Sequence, residues 1–441
     1  MDDGVSLAAT LFKPDGTPPG SGWPAIVMFH GLGQTRASSN TIAKAAFAPE
    51  GYAVLTFDAR GQGASGGLFS ADGPREMQDV RNLLTWLDAQ SGIDAAHPGA
   101  YGVSLGGGAV WRSTVEGVPW GAIVPVITWT DLYQALIPQD LSKSGAVSQF
   151  LQSAPPDRSA DEVNAIRTDA IRSTNLPALH TFADARSSLP SLNEVHAPVF
   201  MLQGRRDFAF DITQASQAFS RLKVAKRLYI GDLGHSPAAN PAAEQTHYLE
   251  EARMWFDRWL KGAPNGIDTR PKVELAPDPW TGKTFQYKTL PAHKSLSFVL
   301  NGKAAIGPSG KVVRTSARLA KKIETFGSGM LSISTSKAQD WPHLVAVLSA
   351  VTKKGNEIVV SEGGASTKAL TGTARSVTIH LIDDATLIPA GSKLKVTLAP
   401  SSTAQNYGNL LYLDIGMPAS ARLTIGKVIL KLPVLKKPIS A

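Results

Sequence analysis

Up to about residue 262 the chain alternates near-continuous apolar runs of strand length with segments of helical periodicity. The runs Pro24–His30, Tyr52–Arg60, Gly99–Val103, Gly121–Thr128, Ala197–Gln203 and Arg227–Gly231 predict strands. Unbroken apolar character is what a parallel sheet covered on both faces requires. Between these runs, Met77, Val80, Leu83, Leu84 and Leu87 recur at helical spacing within Arg75–Gln90. The stretch Ala242–Lys261 likewise sets Tyr248, Ala252, Trp255 and Trp259 on one stripe. Strand and helix patterns in alternation predict a doubly wound α/β domain.

The texture changes after Gly262-Ala263-Pro264-Asn265-Gly266, which reads as a linker. Short β-prone runs then follow one another without a helix: Ser295–Leu300, Met330–Thr335, Leu344–Val351, Ser376–Ile382, Lys393–Leu398, Leu410–Ile415 and Arg422–Leu430. Turns such as Asn301-Gly302 and Lys354-Gly355-Asn356 separate them. That spacing predicts an all-β sandwich or jelly roll. The expected organisation is an α/β domain of residues 1–128 and 197–262, an insertion at 129–196, and a β domain at 263–441.

Charge follows the same division. Residues 1–266 carry 21 Lys and Arg against 26 Asp and Glu, and the remainder carries 23 against 10, so the net +8 averages an acidic part and a basic part. The basic excess is mostly lysine, which suits diffuse attraction to anionic surfaces. Nucleic-acid readout would call for arginine interleaved with aromatics, and this part has five Arg, so no nucleic-acid partner is expected. The absence of cysteine excludes a disulfide framework, a thiol nucleophile and a zinc-thiolate site. No apolar run is long enough to predict a transmembrane segment. Met1-Asp2-Asp3-Gly4 has no signal-peptide character. The expected compartment is extracellular or the cell envelope, as a mature form without its leader, with the cytoplasm left open.

The strongest chemical signal is Gly102-Val103-Ser104-Leu105-Gly106, the G-x-S-x-G form. Flanking glycines permit a sharp strand-to-helix turn that lifts the serine hydroxyl above the sheet edge. Here a predicted strand precedes it, and Gly107-Gly108-Ala109-Val110-Trp111 can pack a helix behind it. A serine nucleophile needs a base, and the base needs an orienting carboxylate, in the chain order Ser, acid, His. Asp207 follows one strand through the turn Gly204-Arg205-Arg206, and His235 follows the next in Gly231-Asp232-Leu233-Gly234-His235-Ser236. Both lie beyond the carboxyl ends of parallel strands, where such sheets place ligands. Asp211 and Asp232 are rivals for the acid. Of the two oxyanion donors, one is expected at the Leu105 N–H. The other is expected in His30-Gly31-Leu32-Gly33-Gln34, at Leu32 with Gly31 as fallback. Trp129, Tyr133, Phe208 and Trp111 are candidates for an apolar substrate wall, with core packing the better fate for Trp111.

These residues resemble the peptidase S15 and cocaine-esterase-like (CocE/NonD) branch of the α/β-hydrolases. The likeness is carried by His30-Gly31-Leu32-Gly33, the run Asp58-Ala59-Arg60-Gly61-Gln62-Gly63-Ala64-Ser65-Gly66-Gly67, the helix Asp79–Asp88 leading to the Tyr101–Gly108 elbow, and Gly234-His235-Ser236. The resemblance implies an α/β-hydrolase fold with a helical cap inserted after the sixth strand, at 129–196, and a C-terminal jelly-roll domain. It also implies Ser104 as nucleophile, Asp207 as acid and His235 as base. Cocaine-esterase-like enzymes place a tyrosine donor in the loop that here reads Val27–Thr35, and this sequence has none there.

The expectation is therefore a serine hydrolase that cleaves carboxylic esters through an acyl-enzyme, with bulky, aromatic or polymeric esters as candidate substrates, without metal or cofactor. Two other readings stay open. One is an Xaa-Pro dipeptidyl aminopeptidase, for which none of Asp131, Asp140, Asp157, Asp161, Glu162 and Asp169 is identifiable as an amino-terminal anchor. The other is a surface-binding protein with an accessory hydrolase-like domain.

Overall fold

In the computed structural model, which describes residues 1–372, 375–404 and 410–441, the first part of the chain builds one nine-stranded sheet. Its strands are β1 (Ala9–Phe12), β2 (Trp23–Phe29), β3 (Ala53–Phe57), β4 (Ile93–Val103), β5 (Ala122–Val126), β6 (Val199–Gly204), β7 (Lys226–Gly231), β8 (Val273–Leu275) and β9 (Phe285–Tyr287). They lie in the order β1-β3-β2-β4-β5-β6-β7-β8-β9. All neighbours from β3 to β8 pair in parallel, and β1 and β9 close the edges antiparallel. Successive residues of a strand point to opposite faces. Ala25, Val27 and Phe29 therefore pack beneath the helices α2 (Pro74–Asp88) and α3 (Leu105–Val115), which follow α1 (Arg36–Ile42) in the chain. Ile26 and Met28 enter the other core, whose far side carries Tyr248, Ala252, Trp255 and Phe256 of the long helix Ala242–Leu260. Burial on both faces explains why these strands read as continuous apolar runs.

Between β5 and β6 the chain leaves the sheet and forms a cap of four helices: α4 (Leu132–Leu136), α5 (Ser144–Gln152), α6 (Asp161–Arg172) and α7 (Leu176–Asp184). The insertion thus follows the fifth strand in chain order rather than the sixth, because a single antiparallel strand precedes the parallel set. The chain then returns through β6 to α8 (Ile212–Arg221) and, after β7, to α9 (Ala242–Leu260).

The second part of the chain is antiparallel and all-β. One strand, Gly327–Val351, organises it: its first half pairs with Arg375–Asp384 and Arg422–Leu435, its second with Glu357–Gly372 and Lys393–Ala399. The separate strands expected at Met330–Thr335 and Leu344–Val351 are halves of this one, continued through register shifts. The run Leu410–Ile415 is not a strand. Its apolar side chains Leu411 and Tyr412 pack into a small core shared with the cap instead. The boundary expected at residue 262 also moves, because β8 and β9 extend the first sheet. Glu274 of β8 accepts from Arg227 of β7 at 2.9 Å, which fixes that extension.

The two parts are joined by a buried ion pair. Arg205, at the end of β6, pairs with Glu324, and both side chains are fully buried. The Arg205 guanidinium also donates to the Ala385 and Ala276 carbonyls, while Glu324 accepts from the Ile439 and Ser440 amides. Burial would raise the proton affinity of Glu324, but Arg205 and the Ser440 donors outweigh it and hold the carboxyl below its ordinary 4.5. Arg205→Met would strand a buried carboxylate, a change that costs about 3–5 kcal/mol. We expect a clear fall in Tm at neutral pH. A lowered carboxyl stabilises the fold above 4.5 and loses that contribution as pH falls through the lowered value. The difference between wild type and variant should therefore shrink in acid. An unchanged Tm at pH 7 would show that the pair does not tie the parts together.

Candidate active site

The serine of the G-x-S-x-G segment sits alone between β4 and α3, with φ 55° and ψ −114°. That backbone conformation is strained for a residue with a Cβ and persists only where the surroundings impose it. Here the Ser104 N–H donates to the Val126 carbonyl at 2.9 Å, and the Ser104 carbonyl accepts from Thr128 Oγ1 at 2.8 Å. A side chain at Gly102 would collide with the Gly106 carbonyl, and one at Gly106 with the Phe29 carbonyl. Gly102 is thus required by the tightness of the turn itself and Gly106 by its packing against β2.

Three predicted residues come together. Ser104 Oγ lies 2.9 Å from His235 Nε2, and His235 Nδ1 lies 2.7 Å from Asp207 Oδ2. Since the carboxylate can only accept, Nδ1 carries the proton, and Nε2 is left free to receive one from the serine. Asp207 is 1% exposed and its oxygens are fully engaged: Oδ1 accepts from the Ala209 and Phe210 amides, both at 3.0 Å, and Oδ2 also accepts from the His235 amide at 3.0 Å. The rivals have other work. Asp211 caps α8 through the Thr213 amide, and Asp232 accepts from the Ala239 amide.

The loop after β2 is held so that one amide stays free. His30 Nε2 accepts from the Ala59 N–H at 2.9 Å, so its Nδ1 carries the proton and donates to the Gly31 carbonyl at 2.8 Å. Burial keeps this imidazole neutral by lowering its proton affinity. The Gly31 N–H is taken by Gln34 Oε1, the Gly33 N–H by Gln62 Oε1 and the Arg36 N–H by Asp58 Oδ1. In a trans peptide the C=O and the following N–H point opposite ways. Fixing the Gly31 carbonyl therefore turns the Leu32 N–H away from His30. Among the described residues, neither the Leu32 nor the Leu105 N–H has a protein acceptor. Gly31 passes within 3.6 Å of the Ser104 Cβ, measured from an ideal Cβ. These contacts also explain the run Asp58–Gly67: its Asp58 and Gln62 brace the loop, and its Arg60 is anchored on Asp79.

Ser104, Leu105 and Leu32 line a cavity of about 130 Å³ under the cap. Of the predicted wall residues, Trp129 lines it, with its indole N–H donating to the Arg186 carbonyl. Tyr133 does not. It stacks on His180 with its hydroxyl on Asp140, and it borders a neighbouring cleft. Phe208 is also excluded, because it turns into the core between cap and β domain. Trp111 is core. Two aromatics that the sequence reading missed take their place. Phe150 of α5 and Phe210 meet the His235 ring edge-on, at 5.8 and 5.2 Å between centroids. The fully buried Lys143 of the cap was missed as well; its ammonium donates to the Phe208 and Ala209 carbonyls at 2.8 and 3.1 Å. A lysine in an unassigned cap segment gave no signal of that role.

One cluster among the described residues offers metal-ligating groups, His247, Glu251 and Glu274. Arg227 and Arg270 already neutralise its carboxylates.

The sequence profile described as X-Pro dipeptidyl-peptidase (S15 family) matches residues 3–237, more than half of the 441. The chain belongs to the peptidase S15 family. Among S15-like relatives, a "Putative Xaa-Pro dipeptidyl-peptidase" of Bacillus cereus is 24% identical over 257 residues, covering 52% of this chain and 43% of that protein. The chain thus spans less than half the length of that relative. The cocaine esterase of a Rhodococcus species is 26% identical over 388 residues, covering 74% of this chain and 66% of the esterase. A solved CocE/NonD family hydrolase from Staphylococcus aureus shares the fold, with a TM-score of 0.76 over 99% of this chain and 92% of that one at 17% identity.

For this S15-family site, the reactivity of Ser104 toward a fluorophosphonate separates the two candidate acids. Asp207→Asn should slow labelling by roughly 10⁴-fold, the loss expected when the imidazole is held in the wrong tautomer. Asp211→Asn should change the labelling rate by less than about tenfold and leave the α8 cap in place, because an asparagine oxygen accepts from the Thr213 amide as the aspartate does. The opposite ranking would move the acid to Asp211.

Proposed function

We propose that the protein is a serine hydrolase that cleaves carboxylic esters through an acyl-enzyme. The observation that carries this reading is the unbroken hydrogen-bonded chain from Ser104 through His235 to Asp207, opening on an apolar cavity flanked by two unpartnered amides. In this mechanism the Ser104 oxygen attacks the ester carbonyl carbon while His235 Nε2 takes its proton. The carbonyl oxygen, now negative, is received by the Leu32 and Leu105 N–H groups. Asp207 keeps the imidazolium oriented. The proton then passes to the departing alcohol oxygen as its bond to carbon breaks, and water repeats the sequence to release the acid. Preorganised amide donors of this kind contribute roughly 10²–10³-fold each.

The family name and relatives named as putative Xaa-Pro dipeptidyl-peptidases raise the rival reading, cleavage after Xaa-Pro. A peptide's amino-terminal ammonium would need a carboxylate at the binding site. Among the described residues none lines the Ser104 cavity. Glu162 is paired with Arg186, Asp131 caps α4, and Asp140 accepts from Tyr133. The likeness to a cocaine esterase supports the ester side.

The test pairs fluorophosphonate labelling with turnover of p-nitrophenyl acetate and of a Gly-Pro p-nitroanilide. The wild type should label at Ser104 and favour the ester. Ser104→Ala should abolish labelling and lower ester turnover by at least about 10⁴-fold. Turnover that survives in Ser104→Ala would refute the reading, and a preference for the anilide would favour the peptidase.

A further inference from the structure

Two cavities meet at the Ser104–His235 pair, and they differ in chemistry. The first touches Ser104 and both unpartnered amide residues, Leu32 and Leu105. Apart from the serine hydroxyl, the side chains that line it are aliphatic or aromatic, drawn from the cap and from the loops beneath it. The second, of about 120 Å³, touches His235 instead and has Ser148, Gln149 and Ser236 in its wall beside Leu411. Phe150 belongs to both.

Acyl transfer assigns the two sides. The carbonyl carbon bonds to Ser104 Oγ and its oxygen turns toward the amide donors, so the acyl chain extends from the nucleophile's side. The departing oxygen must receive its proton from His235, so the alcohol lies on the imidazole's side. We infer that the apolar cavity under the cap takes the acyl chain and the more polar cleft at His235 takes the alcohol, so that the substrate is an ester of an uncharged hydrocarbon acid. This rests on the serine-hydrolase reading above and adds the orientation and the acyl class.

Size and charge sharpen the class. An apolar cavity of about 150 Å³ stays dry and accepts a benzene ring. The cavity here, at about 130 Å³, suits a phenyl group or a chain of about five or six carbons. An α-ammonium on the acyl group would be buried among hydrocarbon without a counter-charge, which disfavours amino-acyl esters.

The isomers ethyl hexanoate and hexyl acetate have the same atoms, with the long chain on opposite sides of the ester. Acid release from each, followed by titration, should favour ethyl hexanoate by about tenfold or more in kcat/KM. Across p-nitrophenyl esters, hexanoate should exceed acetate by about 100-fold, the gain from burying four further methylenes, and dodecanoate should fall below hexanoate. Methyl 3-phenylpropanoate should exceed phenylalanine methyl ester, which differs by the α-ammonium alone. Ala170→Phe, which fills the cavity wall, should collapse the hexanoate-to-acetate ratio. A preference for hexyl acetate, a flat response to acyl length, or a preference for the amino-acyl ester overturns the assignment of sides while leaving a working serine hydrolase. Failure to turn over any of these esters, with Ser104 unlabelled by fluorophosphonate, overturns the hydrolase reading along with it.

Discussion

The site depends on one buried carboxylate. Asp207 accepts four hydrogen bonds, two from the backbone of its own loop and two from His235, main chain and side chain. A carboxylate so fully engaged can be removed from water without an unpaired lone pair, which is what makes its burial tolerable. It binds the loop after β6 to the loop after β7, and so decides where the imidazole stands relative to the serine. The neighbouring residues extend the constraint outward. Arg205 is tied to the β domain through Glu324. Phe208 and Ala209 give their carbonyls to Lys143 of the cap. Phe210 packs on His235 and against Phe150 of the cap. Arg205 and residues 207–210 therefore join sheet, cap and β domain around this carboxylate.

The serine is held by a different kind of constraint. Its positive φ stores strain that the packed turn between β4 and α3 supports, with both glycines in contact with backbone that leaves no room for a Cβ. The facing loop is held by side chains, with His30, Gln34, Gln62 and Asp58 each taking one backbone group. Among the described residues, the Leu32 and Leu105 amides are left without a protein acceptor.

Features written in local sequence were legible. The elbow needs glycine two residues either side of the serine, and Asp207 and His235 lie just past strands that any hydrophobic pattern reveals. The parallel strands read clearly because both faces are buried. What depended on long-range packing was not legible. Phe208 and Phe210 are two residues apart in one loop, and nothing local says that the first turns into the cap–β-domain core while the second meets the His235 imidazole. Phe150 reaches that imidazole from a cap helix 85 residues earlier in the chain. The apolar run Leu410–Ile415 looked like a strand, yet its side chains are used against the cap and its backbone enters no sheet. Likewise β8 and β9 are too short to declare which sheet they complete, a choice made by Glu274 meeting Arg227.

The proposed function turns on one covalent intermediate, an acyl group carried by Ser104. The most direct measurement is acid quench of the enzyme within milliseconds of mixing with p-nitrophenyl hexanoate, followed by peptide mass analysis. The account predicts one hexanoyl group per chain, on the peptide that contains Ser104, with a matching burst of p-nitrophenol. Hydrolysis without an acylated peptide, or acylation of a residue other than Ser104, would contradict it.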